Sequence, residues 1–193
     1  VDNIAMLGID ENTVDEVGDE PMQYFKKFKN ISVAVDENRA RGIQKLLKKT
    51  SPDVILLDDA FQHRKVNSGY SILLTKHNDL FVNDFLLPVG NLRESRAGAE
   101  RANCIIVTKC PKNISTEERE NIKFKLKKYN KDVFFTSIFY GDKVLGEKEI
   151  LIKNLKEYKV LLVTGIANPK PLLDFLANEK VKFEHLKFPD HHF

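Results

Sequence analysis

Apolar runs of strand length alternate along this chain with stretches in which apolar residues recur every three or four positions. Such alternation is the pattern of a mainly parallel α/β sheet, whose neighbouring strands need helical crossovers between them. It predicts strands over residues 31–35, 54–57, 71–74, 104–108 and 133–139. Between the first two it predicts a helix over 38–49, with Ala40, Ile43, Leu46 and Leu47 on one face. A second helix is expected from Ser115. There Ser115 and Glu118 have capping-box spacing, and Ile122, Leu126 and Tyr129 form the apolar stripe. Over 140–148 the pattern turns polar and glycine-containing, as a hinge would. A strand over 159–164, a turn over 165–169, a short helix through Leu172, Phe175 and Leu176, and a strand over 181–188 follow. The expected organisation is therefore a first domain over 1–140, a linker over 141–158 and an incomplete C-terminal α/β domain over 159–193.

Composition changes this picture little. A chain of 193 residues can build one core and the start of another. Its 42% hydrophobic and 31% charged residues make an ordinary globular mixture. No apolar run approaches the roughly 18 residues that a membrane-spanning helix needs. A net charge of +3, from 31 basic and 28 acidic residues, is too balanced to indicate nucleic-acid binding. The lysines gathered over 123–131 read as the solvated face of a helix. Cys104 and Cys110, six apart in a strand-like run, are expected on one sheet face as buried thiols in a reducing cytoplasm. His77 and His185 are expected on a loop and on an exposed strand face. The chain opens on Val1, and its last β-α-β unit stops shortly after residue 188, so it is expected to be truncated at both ends.

The strongest chemical signal is Val54-Ile55-Leu56-Leu57-Asp58-Asp59. A buried strand that ends in acidic residues puts carboxylates at the C-terminal edge of a parallel sheet, where ligands of α/β folds gather. In phosphoryl-transfer proteins such an acid holds Mg²⁺ beside the nucleotide phosphates. Taken alone, the run reads equally well as a strand followed by an acidic turn.

Five further stretches accompany it: Gly18-Asp19-Glu20-Pro21 upstream, Ala60-Phe61-Gln62-His63-Arg64 directly after, Leu86-Leu87-Pro88-Val89-Gly90-Asn91-Leu92-Arg93-Glu94 downstream, and Gly165-Ile166-Ala167-Asn168-Pro169 with Phe188-Pro189-Asp190-His191-His192 near the end. In this order and at this spacing the chain resembles the lipid A 4′-kinase (tetraacyldisaccharide 4′-kinase) family. The resemblance implies a P-loop NTPase-like three-layer α/β/α fold with a mainly parallel sheet, plus part of a smaller second α/β domain. It implies transfer of the ATP γ-phosphoryl group to the 4′-hydroxyl of a tetraacyldisaccharide 1-phosphate in lipid A biosynthesis. ATP and Mg²⁺ would be the cofactors and the lipid the partner, with no nucleic acid involved. The setting would be the cytoplasmic face of the bacterial inner membrane, reached through an N-terminal apolar helix that this chain lacks.

Carried over residue by residue, the resemblance makes Asp58 and Asp59 the Mg²⁺ ligands in the Walker B position. It makes Asp19 the catalytic base on the sugar hydroxyl, and His191 the imidazole that orients or tunes it. Arg93 and Arg39 become candidates for phosphate contacts, since guanidinium groups hold phosphate oxygens bidentately. Glu20 and Glu94 would bind the sugar or the metal shell, while Gln62 and His63 would position substrate. For Arg39 and Glu94 a surface salt bridge stands beside the functional role. The family's phosphate-binding loop, G-x-x-x-x-G-K-[ST], is absent from this chain. The fragment alone is accordingly expected to be inactive. Two other readings stand against the kinase. One is a metal-dependent phosphoesterase using Asp190-His191-His192, with Asp58 and Asp59 as further ligands. The other is a non-catalytic Rossmann-like binding module.

Overall fold

A computed structural model describes residues 5–7, 17–129 and 132–189. The chain divides into two compact units, Val1–Ile138 and Phe139–Phe193.

In the first unit, β1 (Ala5–Leu7) pairs antiparallel with β2 (Val33–Val35). The helix α1 (Asp19–Lys27) lies between them in sequence, and α2 (Arg39–Lys49) follows β2. The main sheet is parallel, with β3 (Ile72–Lys76), β4 (Cys104–Thr108) and β5 (Val133–Phe135) side by side in that order. Its register sets Leu74 opposite Ile106 and Val107 opposite Phe135. The helix α3 (Thr116–Leu126) makes the crossover from β4 to β5. This parallel sheet with its crossover helix belongs to the expected α/β class and is consistent with a P-loop-like architecture.

The core follows from the middle strand. Flanked on both sides, β4 reads as a nearly continuous apolar run, and Ile105 and Val107 are each 0% exposed. Leu80, Cys110, Ile114, Ile122 and Leu126 close over them. The predicted stripe of Ile122, Leu126 and Tyr129 thus packs inward, whereas Phe124 and the lysine-rich side of α3 face solvent. Ser115 caps α3 by accepting a hydrogen bond from the Glu118 amide at 3.1 Å. The Glu118 carboxylate goes instead to His77 Nε2, at 2.9 Å, so half of the predicted capping box forms. Asn38 caps α2 in the same way, accepting from the Arg41 amide.

Four expectations need correction. Residues 54–57 form no strand, and Val54 and Leu56 are 73% and 90% exposed. A strand exists by pairing its backbone with a neighbour, and among the described residues no ladder includes this run. On α2 the buried positions are Gly42 and Leu46, whereas Ala40 and Leu47 face solvent. The helix is rotated onto Asp36: a Cβ at position 42 would meet the Asp36 Cβ at 2.9 Å. The run predicted over 133–139 ends as a strand at Phe135, although the Thr136 amide still reaches the Val107 carbonyl. Both cysteines are free and buried, but Cys110 lies beyond the end of β4, after Lys109 at φ 57°. Strand alternation therefore does not relate the two thiols.

In the second unit, β6 (Lys143–Val144) and β7 (Ile150–Leu151) form a short antiparallel hairpin. The strands β8 (Val160–Thr164) and β9 (Phe183–Lys187) pair in parallel, joined by α4 (Lys170–Asn178), and this is the predicted β-α-β unit. Its core holds Ile152, Leu155, Leu176 and Val181. Residues 141–158 thus contribute buried apolar side chains as well as polar turns. Tyr140 stacks on Phe175 with ring centroids 4.6 Å apart. His185 sits on the exposed side of β9, with Nε2 2.9 Å from the Thr164 hydroxyl. No helix among the described residues is long and apolar enough to cross a membrane.

Candidate active site

The Gly18-Asp19-Glu20-Pro21 element opens a helix. Gly18, at φ 89°, supplies a backbone geometry that residues with side chains avoid, and α1 starts at the next residue. Asp19 and Glu20 occupy the first turn and Lys26 and Lys27 the last, which matches the helix dipole at both ends. The Asp19 carboxylate accepts the Glu20 amide at 3.0 Å. It lines a shallow open depression with Met22, Gln23, Lys26 and Lys27.

Further along the same helix, the Tyr24 hydroxyl donates to Asp58 Oδ2 at 3.2 Å. The neighbouring Asp58 charge raises the Tyr24 phenol above its ordinary pKa, because ionisation would put two negative charges side by side. The helix bearing Asp19 is thereby tied to the acidic pair. With about 1.5 Å of rise per residue, Asp19 lies roughly 7–8 Å along the axis from this contact.

Residues 58–64 form a compact turn. Asp58 Oδ1 accepts the Asp59 amide at 2.9 Å, and Asp59 adopts φ 42°, in the left-handed region. Gln62 Nε2 donates to the Asp59 carbonyl at 2.8 Å, and the His63 amide donates to the Ala60 carbonyl. Gln62 is therefore committed to shaping the turn. Arg93 Nη1 stands 3.5 Å from Asp59 Oδ2, with both side chains largely exposed.

The Leu86–Glu94 element is a loop braced from within. The Asp84 carboxylate accepts the amides of Phe85 and Asn91, and the Phe85 amide above all holds this carboxyl below its usual pKa. Gly90 is required here, since a Cβ would run into the Asp84 carboxylate and the Phe85 backbone. Arg96 donates to the Asp84 carbonyl and lies over the Phe85 ring. The Leu87–Pro88 peptide is cis. Glu94 is paired with Arg101, at 2.7 and 3.1 Å.

The structure thus brings Asp58, Asp59, Gln62, His63, Arg93 and Glu94 into one set of linked turns, with α1 and Asp19 attached through Tyr24. Arg39 is engaged elsewhere, donating to the Asp36 carbonyl at the start of α2. His191 lies outside the described residues, as do Asp190 and His192. Tyr24 and Arg101 are structural members of this group that pattern reading missed. The only sequence hint for either is proximity to the recognised elements.

Among the described residues no cluster of three or more His, Cys, Asp or Glu side chains could hold a metal ion. The pair Asp58 and Asp59 nevertheless suits Mg²⁺, which takes one or two carboxylates and completes its octahedron with water and phosphate oxygens. Asp59 is widely open to solvent, so incoming oxygens can approach it.

The family model described as tetraacyldisaccharide-1-P 4′-kinase matches residues 3–193. A tetraacyldisaccharide 4′-kinase of Flavobacterium johnsoniae is 52% identical over 187 residues, covering 95% of this chain and 54% of that protein. Its namesake in Flavobacterium psychrophilum is 53% identical over 181 residues, covering 91% of this chain and 52% of the other. The protein of that name in Bacteroides thetaiotaomicron is 42% identical, covering 97% and 53%. The chain spans about half the length of these curated relatives. No solved structure gives a significant match. The match does not favour the phosphoesterase and binding-module readings, and on its extent the chain belongs to the tetraacyldisaccharide-1-P 4′-kinase family.

Proposed function

We propose that the protein carrying this chain is an ATP-dependent kinase that phosphorylates the 4′-hydroxyl of a tetraacyldisaccharide 1-phosphate, a lipid A precursor. The observation that carries this reading is the acidic turn Asp58–Asp59, held against the helix that begins at Asp19, within a chain matched to the family over residues 3–193.

Asp58 and Asp59 hold Mg²⁺ in this reading, and the ion supplies charge neutralisation at the ATP phosphates. Asp19 accepts the proton of the 4′-hydroxyl. The sugar oxygen forms a bond to the γ-phosphorus as the bond to the β–γ bridging oxygen breaks, leaving ADP. Arg93 offers its guanidinium to phosphate oxygens, and Arg39 is a second candidate for such a contact. Glu20 and Glu94 face the sugar or the metal's water shell, and Gln62 and His63 keep the turn in a shape that admits substrate. Because the substrate is a lipid, the enzyme works at a membrane surface, the cytoplasmic face of the inner membrane in this reading.

The test is a kinase assay on the full-length protein with ATP, Mg²⁺ and tetraacyldisaccharide 1-phosphate, comparing wild type with Asp19→Ala and Asp58→Ala. Each variant should lose roughly 10²-fold or more in kcat, the scale of general-base removal. An inactive wild type, or an Asp19→Ala variant with full activity, overturns the reading.

A further inference from the structure

Arg101 makes several directed contacts beside the recognised members of the site. Its guanidinium donates to both oxygens of Glu94, at 2.7 and 3.1 Å, and to the Phe61 carbonyl at 3.2 Å. It also lies over the Phe61 ring, 4.8 Å from the centroid. Phe61 is two residues after Asp59, and Glu94 is next to Arg93. One side chain, at the end of the short 3-10 helix Arg96–Arg101, thus grips both loops that carry the proposed chemistry.

The local sequence makes room for this grip. A Cβ at Gly98 would stand 2.7 Å from the Glu94 carboxyl carbon and 2.9 Å from Arg101 Nη1. Glycine at that position lets the carboxylate and the guanidinium close directly over the helix backbone. Arg101 and Glu94 are about one-third exposed, so the pair is partly shielded from water. A planar fork suits this arrangement: two nitrogens meet the carboxylate, one also reaches the carbonyl, and the flat face covers the ring. Lysine can supply the charge but neither the fork nor the stacking.

We infer that Arg101 is a positioning residue: by clamping Glu94 and Phe61 together it fixes the acidic turn 58–64 relative to Arg93 and so sets the readiness of Asp58 and Asp59 for Mg²⁺. The inference rests on the kinase reading for its catalytic consequence, but the clamp itself does not.

The test uses Arg101→Lys in the full-length protein, with two measurements. In hydrogen–deuterium exchange without ligands, amides over 58–64 and 92–95 should exchange faster than in wild type, with the sheet β3–β5 unchanged. In the kinase assay, the Mg²⁺ concentration giving half-maximal rate should rise about 10-fold, the scale at which loss of an outer-shell partner weakens metal binding. A variant that merely folded less well would lower the maximal rate and leave that midpoint in place. Unchanged exchange in both loops, or an unchanged Mg²⁺ midpoint in an active enzyme, overturns the inference. Faster exchange in both loops of a protein with no kinase activity even as wild type would retain the clamp and reject the kinase reading. Should Arg101→Lys fail to fold, Glu94→Gln weakens the same pair from the other side and carries the exchange test.

Discussion

Replacing Arg41 with Gln should strip Asp36 of its main partner and destabilise the first unit. The Asp36 side chain is 2% exposed and sits where β2 gives way to α2. It accepts Arg41 Nε at 3.0 Å and Arg41 Nη2 at 2.9 Å, and its other bond comes from the Asn38 amide at 2.7 Å. Removing one partner of a buried ion pair costs about 3–5 kcal/mol. Arg41 is 39% exposed, so water already screens part of the attraction. Glutamine also keeps one donor within reach. About 2 kcal/mol is therefore the expected loss at pH 7, near the scale of a hydrogen bond to a charged group.

The pH dependence fixes the mechanism. Hydrogen bonding from Arg41 holds the Asp36 carboxyl below its ordinary pKa. Its contribution is then fully present above the unfolded value of about 3.9 and is lost as pH falls through the lower folded value. Urea unfolding followed by far-ultraviolet circular dichroism, at several pH values from 7 down to about 3, should show a constant gap between wild type and Arg41→Gln near neutrality. The gap should narrow only in the acid range. A gap below about 0.5 kcal/mol at pH 7 would mean the pair is worth no more than an exposed one. A gap that widened on acidification would refute the charge argument itself.

Two further variants probe the site. Tyr24→Phe removes the hydroxyl that holds Asp58 Oδ2, so in the proposed kinase assay of the full-length protein the Mg²⁺ midpoint should rise up to roughly 10-fold. Tyr24, Tyr70 and Tyr140 are all held above the ordinary phenol range, so spectrophotometric titration of the chain should show one fewer high-pH ionisation in this variant than in wild type. Gly90→Ala should loosen the loop by forcing the Asp84 carboxylate off the Phe85 and Asn91 amides, read as faster hydrogen exchange over 84–92.

What the sequence revealed, and what it hid, divides along physical lines. The strand β4 and the helix α3 were legible because their burial depends on their own residues: a continuous apolar run, a serine cap and an apolar stripe. Residues 54–57 looked like a buried strand on the same grounds, yet a strand also needs a partner, and no local pattern reveals one. The helix α1 was hidden behind the turn-like residues Gly18 and Pro21, although proline is well tolerated in a first helical turn. At the site, the acidic pair, Gln62, Arg93 and Glu94 were recognisable as motif residues. Arg101 was not, because its value lies in contacts seven and forty residues away, which no periodicity encodes.

Asp59 sets two selective pressures against each other. Its φ of 42° is a geometry that glycine adopts without steric cost and that aspartate tolerates better than most residues. A library varied at this position and sorted for thermal stability should therefore enrich glycine, which relaxes the turn. The same library sorted for phosphoryl transfer should return aspartate. In the proposed reading, the acidic turn is a place where a more durable protein and a working one call for different residues.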